Sequence, residues 1–182
     1  MDWTLPGTTL PIQRSDAHRV EGLFQSLFLA GGLSLGQVAT VTGLEPYIIQ
    51  NWVKRGFLSP PVNKRYDMRQ VCRIIHINML KGALPLESIT SLLSYINGSL
   101  TDISDDIIDD SQLYFMFVRL AAQARSNPTE EAWQIALRDA MTGYREPVPG
   151  AADRVAQTLR IMLTAWIASR LRQEAENMLS AL

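Results

Sequence analysis

Four polar side chains recur at helical spacing near the middle of the chain: Tyr47, Gln50, Asn51 and Lys54. Residues at positions i, i+3, i+4 and i+7 lie on one face of an α-helix, so the spacing predicts a continuous polar stripe. Asn and Gln side chains can hydrogen-bond the edge of an adenine, and a lysine can contact a phosphate. The stripe therefore has the chemistry needed to contact duplex DNA, and an ordinary solvated helix face is the alternative.

The stripe requires a helix over residues 45–55. Pro46 is compatible with the first turn of that helix, and Gly56 is expected to end it. The opposite face carries the apolar side chains Ile48, Ile49, Trp52 and Val53. Such a helix should bury its apolar face against a core and leave its polar face in solvent.

The segment before this helix predicts a second, shorter helix. Ser34 stands three residues before Gln37, which is the spacing of a capping box, and Thr42 and Gly43 supply a turn. Two helices joined by a tight glycine turn are typical of a helix-turn-helix motif.

A loop with a basic tip follows the stripe. Its sequence, GFLSPPVNKRYD, contains two prolines that exclude a helix and predict an extended wing over residues 60–66. Asp67 can then cap a helix over residues 68–81. Met68, Cys72, Ile75 and Met79 form the apolar face of that helix, which makes Cys72 a core residue. Its other face carries Arg69, Arg73 and His76, with His76 expected at the surface or beside a phosphate.

The net charge of −1 hides a segregation along the chain. Residues 33–82 carry seven Lys or Arg against two Asp or Glu, a balance of +5, so the remainder carries −6. This distribution suits a segment that contacts phosphates, although a solvated surface could also be basic.

The composition argues against several other classes. One cysteine and two histidines leave few side chains for a disulfide framework or a zinc site. The sequence contains neither a phosphate-binding glycine loop nor a nucleophile elbow. We therefore expect that the protein is not an enzyme and binds no cofactor and no metal. The longest charge-free apolar stretch near the C-terminus, residues 161–169, is too short to span a bilayer, and the N-terminus does not resemble a secretory signal. We therefore expect a cytoplasmic protein.

Two sets of segments carry a family resemblance. LSLGQVATVTGLEPYIIQNWVKRGFLSPP and KRYDMRQV resemble the winged-helix head of the MerR family. IQNWVKRG, KRYDMRQVCRIIHINML, LLSYING and DDIIDDSQLY resemble an uncharacterised bacterial family of MerR-like proteins, a domain of unknown function, over roughly residues 16–118. The resemblance implies DNA contacts at Tyr47, Gln50, Asn51, Lys64 and Tyr66. Together with the nearby cations Lys54, Arg55, Arg65 and Arg69, these residues form the predicted DNA-contacting surface. Within it, Lys64 takes the place of the wing arginine and Tyr66 matches directly.

The sequence also departs from the MerR pattern. The stripe lacks the usual arginines, the wing is short, and no long uninterrupted helix follows the head, because Gly98 and the acidic residues up to 110 break the pattern. These departures keep open a second function, in which the head is a scaffold for protein contacts and binds no DNA.

The expected fold is all-α, with a MerR-like winged helix-turn-helix head whose wing is a loop or a minimal β-hairpin, followed by a C-terminal helical bundle. We divide the chain into an N-terminal extension and helix (1–32), the head (33–98, ending in a helix from Pro85), an acidic linker (99–110) and the bundle (111–182). The linker contains Asp102, Asp105, Asp106, Asp109 and Asp110. These carboxylates could suggest a cation site, but they lack the glycine and final glutamate of a calcium loop.

Three helices are predicted in the bundle: one from Ser111, one starting near Asn127 or Thr129, and a long one over residues 150–182. The last has a wide apolar face, made of Val155, Leu159, Met162, Leu163, Trp166 and Ile167 and continuing to Leu171, Met178 and Leu182. That face predicts either a homodimer interface or an intrachain bundle. A small-molecule effector is conceivable at Tyr114, Phe115, Phe117, Trp133 and Trp166, although aromatic residues at helical spacing are more often core. The overall expectation is a transcriptional regulator that binds double-stranded DNA.

Overall fold

The computed structural model describes residues 2–98, 100, 104–124 and 129–182. Over these ranges the chain forms eight α-helices: α1 Val20–Phe28, α2 Leu35–Thr42, α3 Pro46–Lys54, α4 Met68–Leu80, α5 Leu86–Asn97, α6 Asp110–Gln123, α7 Glu130–Ala140 and α8 Ala151–Ser180. Two short antiparallel strand pairs accompany them, β1 Asp2–Thr4 with β2 Pro11–Gln13 and β3 Leu33–Ser34 with β4 Arg65–Tyr66. The prediction of a mainly helical chain is confirmed, and the strands are an addition to it.

Local sequence signals account for several of the helix starts. Ser34 and Asp67 each form the full capping box. The side chain of each accepts from the backbone N–H of a glutamine three residues later, Gln37 or Gln70. The side-chain oxygen of that glutamine accepts from the backbone N–H of the capping residue. Pro46 opens α3, and Thr129 caps α7; Asn127 lies outside the described residues. The helix expected within residues 1–32 is a 3-10 helix over Arg14–Arg19 followed by α1.

Helix α4 lies at the centre of the fold and is buried on all sides. Every residue from Val71 to Ile77 is buried, including Cys72, as predicted. The prediction of an exposed face is wrong at Arg73 and His76, since His76 is 0% exposed and Arg73 only 4%. Helix α6 and the acidic segment before it cover that face, which the periodicity of α4 alone does not reveal.

The described part of the acidic segment, residues 104–110, packs against α4. Arg69 pairs with Asp106 and with Asp109, the latter at 3.4 Å, and the buried Arg73 lies 3.4 Å from Asp110. His76 Nδ1 is 3.5 Å from the other carboxylate oxygen of Asp110. Asp102 lies outside the described residues. These contacts join the head directly to α6, so this part of the predicted linker is a packed element.

Buried side chains form one continuous core that reaches from the N-terminal strands to α8. Leu5 is buried, and the hydroxyl of Tyr114 in α6 donates to Pro6 O at 2.9 Å. The N-terminal extension therefore belongs to the same core as the head. None of the described helices is long and apolar enough to cross a membrane.

Candidate nucleic-acid interface

Helix α3 presents the predicted polar stripe to solvent. Tyr47 is 67% exposed, and Gln50, Asn51 and Lys54 are exposed as well. On the opposite face, Ile49 and Trp52 are buried in the core. The division of this helix into a buried and a solvent face is confirmed.

The turn between α2 and α3 is held by the backbone conformation of Gly43 and by a side-chain contact from α4. Gly43 has a φ of 69°, a left-handed conformation that glycine adopts without a steric penalty. Asn78, on α4, donates its side-chain amide to Thr42 O at 2.8 Å and to Gly7 O at 3.0 Å. Asn78 thus ties the turn to the centre of the fold. This positioning residue was not predicted, because its partners lie 36 and 71 residues away in sequence.

The segment predicted as a wing contains a minimal β-hairpin. Val62 and Arg65 exchange both backbone hydrogen bonds, at 3.0 and 2.9 Å, across the two residues Asn63 and Lys64. Both central residues have positive φ, 50° and 63°, which is the conformation of a type I′ turn. Lys64 is therefore exposed at the tip of a tight turn.

Two contacts fasten the hairpin to the head. Arg65 Nη1 donates to Gly32 O at 2.9 Å, beside the pairing of β3 with β4. Gln70 Nε2 donates to Pro60 O at 2.8 Å and to Ser59 O at 3.2 Å. In the capping box the side-chain oxygen of Gln70 accepts from Asp67 N, which leaves its amide NH₂ oriented toward residues 59 and 60. This contact of Gln70 with the segment before the hairpin was not predicted from the sequence.

Two of the predicted contact residues do not lie on the exposed face. Tyr66 is only 2% exposed, and desolvation by burial raises the pKa of its phenol, so its side chain supports the hairpin from within. Arg69 is held by Asp106 and Asp109. Arg55 stays at the end of α3, where it pairs with Glu87 at 3.0 Å and lies over the Phe57 ring.

The positive charge available to a ligand is smaller than the balance of +5 suggests. Arg69 and Arg73 are neutralised by aspartates within the chain. Among the residues that the structure describes, Lys54, Lys64 and Arg65 make no ion pair. In the described part of the chain, Lys54 and Lys64 are therefore exposed cations without an ion pair; Arg65 also makes no ion pair but donates to Gly32 O, and Arg55 is paired with Glu87.

A groove of about 510 Å³ separates α3 from the hairpin. Its walls are largely apolar, and polar side chains stand at its edges; the lining residues are Leu35, Gln50, Val53, Lys54, Pro61, Lys64 and Tyr66. Because Gln50, Lys54 and Lys64 line one groove, the stripe and the hairpin tip form one continuous surface.

The other candidate sites have simpler explanations. Within the described ranges, no three His, Cys, Asp or Glu side chains are arranged to hold a metal ion. Tyr114 and Phe117 are fully buried, and they pack on Phe24 and Trp166 at ring distances of 5.4 and 6.0 Å. The core interpretation of these aromatic side chains is confirmed.

The fold and surface define a mainly helical protein whose head exposes the polar face of α3. Residues 33–117 match the family model of a domain of unknown function (DUF1836), which confirms the predicted resemblance to a family of this kind for that segment. The uncharacterized protein YkrK of Bacillus subtilis (strain 168) is 30% identical over 86 residues, or 45% of this chain and 37% of that relative. The matched region thus spans little more than a third of the relative's length. No solved structure matches this chain.

Proposed function

We propose that the head, residues 33–98, binds double-stranded DNA in the manner of a MerR-like winged helix-turn-helix regulator. The observation that carries this proposal is the single exposed surface formed by the stripe of α3 and the tip of the hairpin. Helix α3 has nine residues and is about 13 Å long. An α-helix is about 10–12 Å across with its side chains, a diameter that a major groove about 12 Å wide admits.

Each side chain on the surface has a distinct task in this proposal. Gln50 and Asn51 contact base edges, and Tyr47 contacts the duplex at the start of the helix. Lys54, Lys64 and Arg65 contact phosphates on either side of the groove, which sets the register of the protein without specifying sequence. The protein then acts by binding in the cytoplasm, without catalysis.

A specific observation favours a second candidate, an adaptor that binds protein. The groove beside α3 is largely apolar, and Tyr47 and Val62 expose apolar surface at its margins, at 67% and 72%. Such a surface also suits an apolar side chain of a partner protein.

Salt dependence separates the two functions. If the head makes three phosphate contacts, a plot of log K against log salt concentration should have a slope of about −3 per head. An adaptor that binds protein should show no salt-dependent binding to duplex DNA. The measurement is fluorescence anisotropy of a labelled random duplex across a salt series.

Single substitutions test the roles of the residues. Lys54→Ala and Lys64→Ala should weaken binding to all duplexes, while Gln50→Ala and Asn51→Ala should relax sequence preference in a selected duplex pool. Arg138→Ala, at an exposed site on α7, is the matched control and should bind like the wild type. Unchanged binding in all four head variants would reject the proposal.

A further inference from the structure

Helix α8 has two apolar faces, and the described part of the chain covers only one of them. The covered face packs in the core through Val155, Leu159, Met162 and Trp166. A second row, here called the α8 seam, is exposed along its whole length: Ile161, Thr164, Ala168, Leu171, Ala175, Met178 and Leu182. At about 100° per residue, the seam lies on nearly the opposite side of the helix from the covered face.

The spacing within the seam is that of a coiled coil. Its members alternate three and four residues apart over three heptads, which keeps them in line along a partner helix. Leu171 is 55% exposed and Met178 is 62% exposed. A helix end with no packing of its own is only marginally stable in water, so a covering helix would stabilise this part of α8.

The sizes of the seam residues identify the covering helix. If two α8 helices pair antiparallel about Gln173, Leu171 meets Ala175, Met178 meets Ala168, and Leu182 meets Thr164. Each layer then sets a large side chain against a small one, which fills space evenly. A parallel pair in register would set each residue against its own copy, so that Leu171 meets Leu171 and Ala175 meets Ala175, and the layers of two alanines would leave space unfilled.

The charges beside the seam favour the same arrangement. Arg170 and Glu174 lie on one flank, and Arg172 and Glu176 lie on the other. In each pair the arginine precedes the glutamate, which is the less favourable order for an ion pair within one helix. The N···O distance between Arg172 and Glu176 is 3.6 Å, and both side chains are more than half exposed. In the antiparallel pair, Arg170 and Glu174 of the second copy differ by about 3 Å in their positions along the helix axis. Arg172 and Glu176 of the second copy differ by the same amount.

We propose that the α8 seam binds a second copy of this chain as an antiparallel helix pair. The contact runs from Thr164 to Leu182, about 27 Å at 1.5 Å per residue. It uses none of the head residues, so each head remains free in the dimer.

The first test is the mass in solution, measured without DNA by sedimentation equilibrium at tens of micromolar. The wild type should have twice the chain mass of 20.4 kDa. Leu171→Glu and Met178→Glu should each weaken the dimer by about tenfold or more, because they place a charge in an apolar layer. Leu29→Glu is the matched control, since Leu29 is 86% exposed at the end of α1, and it should stay dimeric. A monomeric wild type would overturn the proposal.

The second test is disulfide trapping, which reports orientation. Ala168→Cys and Met178→Cys, mixed and oxidised, should form a mixed disulfide, because antiparallel pairing places these positions in one layer. Either variant alone should not cross-link, since two copies of residue 168 lie about 15 Å apart along the axis. The wild type, whose single cysteine Cys72 is buried, is the control. Cross-linking within each variant alone would refute the antiparallel pair, and failure of either test leaves the proposed DNA binding of the head unaffected.

Discussion

Lys64 combines a strained backbone with the proposed phosphate contact, and one substitution separates the two. Its φ of 63° is a left-handed conformation that costs an L-residue about 1–2 kcal/mol. Glycine avoids this cost but loses more chain entropy on folding, about 0.5–1 kcal/mol. Lys64→Gly should therefore raise the free energy of unfolding by up to about 1.5 kcal/mol, with a midpoint of about 0.75 kcal/mol, and the Tm by up to about 6 °C.

The same substitution should weaken DNA binding. Removing one phosphate contact lowers the magnitude of the salt slope by about 1, from about 3 to about 2 per head. Lys64→Ala should lose the same contact but keep the strain, so its Tm should not rise. Lys64→Arg keeps the cation and should bind like the wild type. Thermal unfolding followed by circular dichroism gives the Tm, and anisotropy across a salt series gives the slope.

Two results would refute this reasoning independently. If Lys64→Gly melts no higher than Lys64→Ala, the turn does not store the expected strain. If both variants bind duplex with the wild-type salt slope, Lys64 does not contact a phosphate. The second result would leave the apolar groove beside α3 as the better guide to a partner.

Three further predictions concern the packing around α4. Burial opposes ionisation of Asp110, but its contact with His76 and the charges of Arg73 and Arg69 bring its pKa below the ordinary value. Asp110→Asn, which leaves Arg73 buried without its counter-charge, should cost about 3–5 kcal/mol in urea unfolding at neutral pH. Because the pKa of Asp110 is lowered in the folded state, the stability that this carboxylate adds is complete above about pH 4 and is lost as the pH falls through the folded pKa. If the free energy of unfolding of Asp110→Asn fell with acid as steeply as that of the wild type, this reasoning would be contradicted. A Cβ at Gly7 would lie 2.6 Å from Ile75 O at a φ of 72°, so Gly7→Ala should lower the stability by about 1–3 kcal/mol, and an unchanged Tm would show that the N-terminal segment is not packed as described. Burial raises the pKa of the Cys72 thiol well above its ordinary value, so a thiol reagent should react with the native protein far more slowly than with the unfolded chain.

The sequence alone determined the features that depend on a few neighbouring residues. The capping box at Ser34, the N-cap at Asp67, the start of α3 at Pro46 and the two faces of α3 were all predicted correctly. Each depends on hydrogen bonds or side-chain periodicity within one or two helical turns, so a single sequence contains the whole cause.

Only the tertiary structure decided which polar residues stay in solvent. Arg73 and His76 have the types and spacing of an exposed face, yet Asp110, more than 30 residues away, covers them. Tyr66 was expected to contact DNA and is instead buried beneath the hairpin. Exposure depends on what packs against a residue, and for α4 the packing partners come from distant segments. Periodicity along one helix therefore predicts that two faces differ in polarity, but the segment that covers each face is known only once the chain has folded.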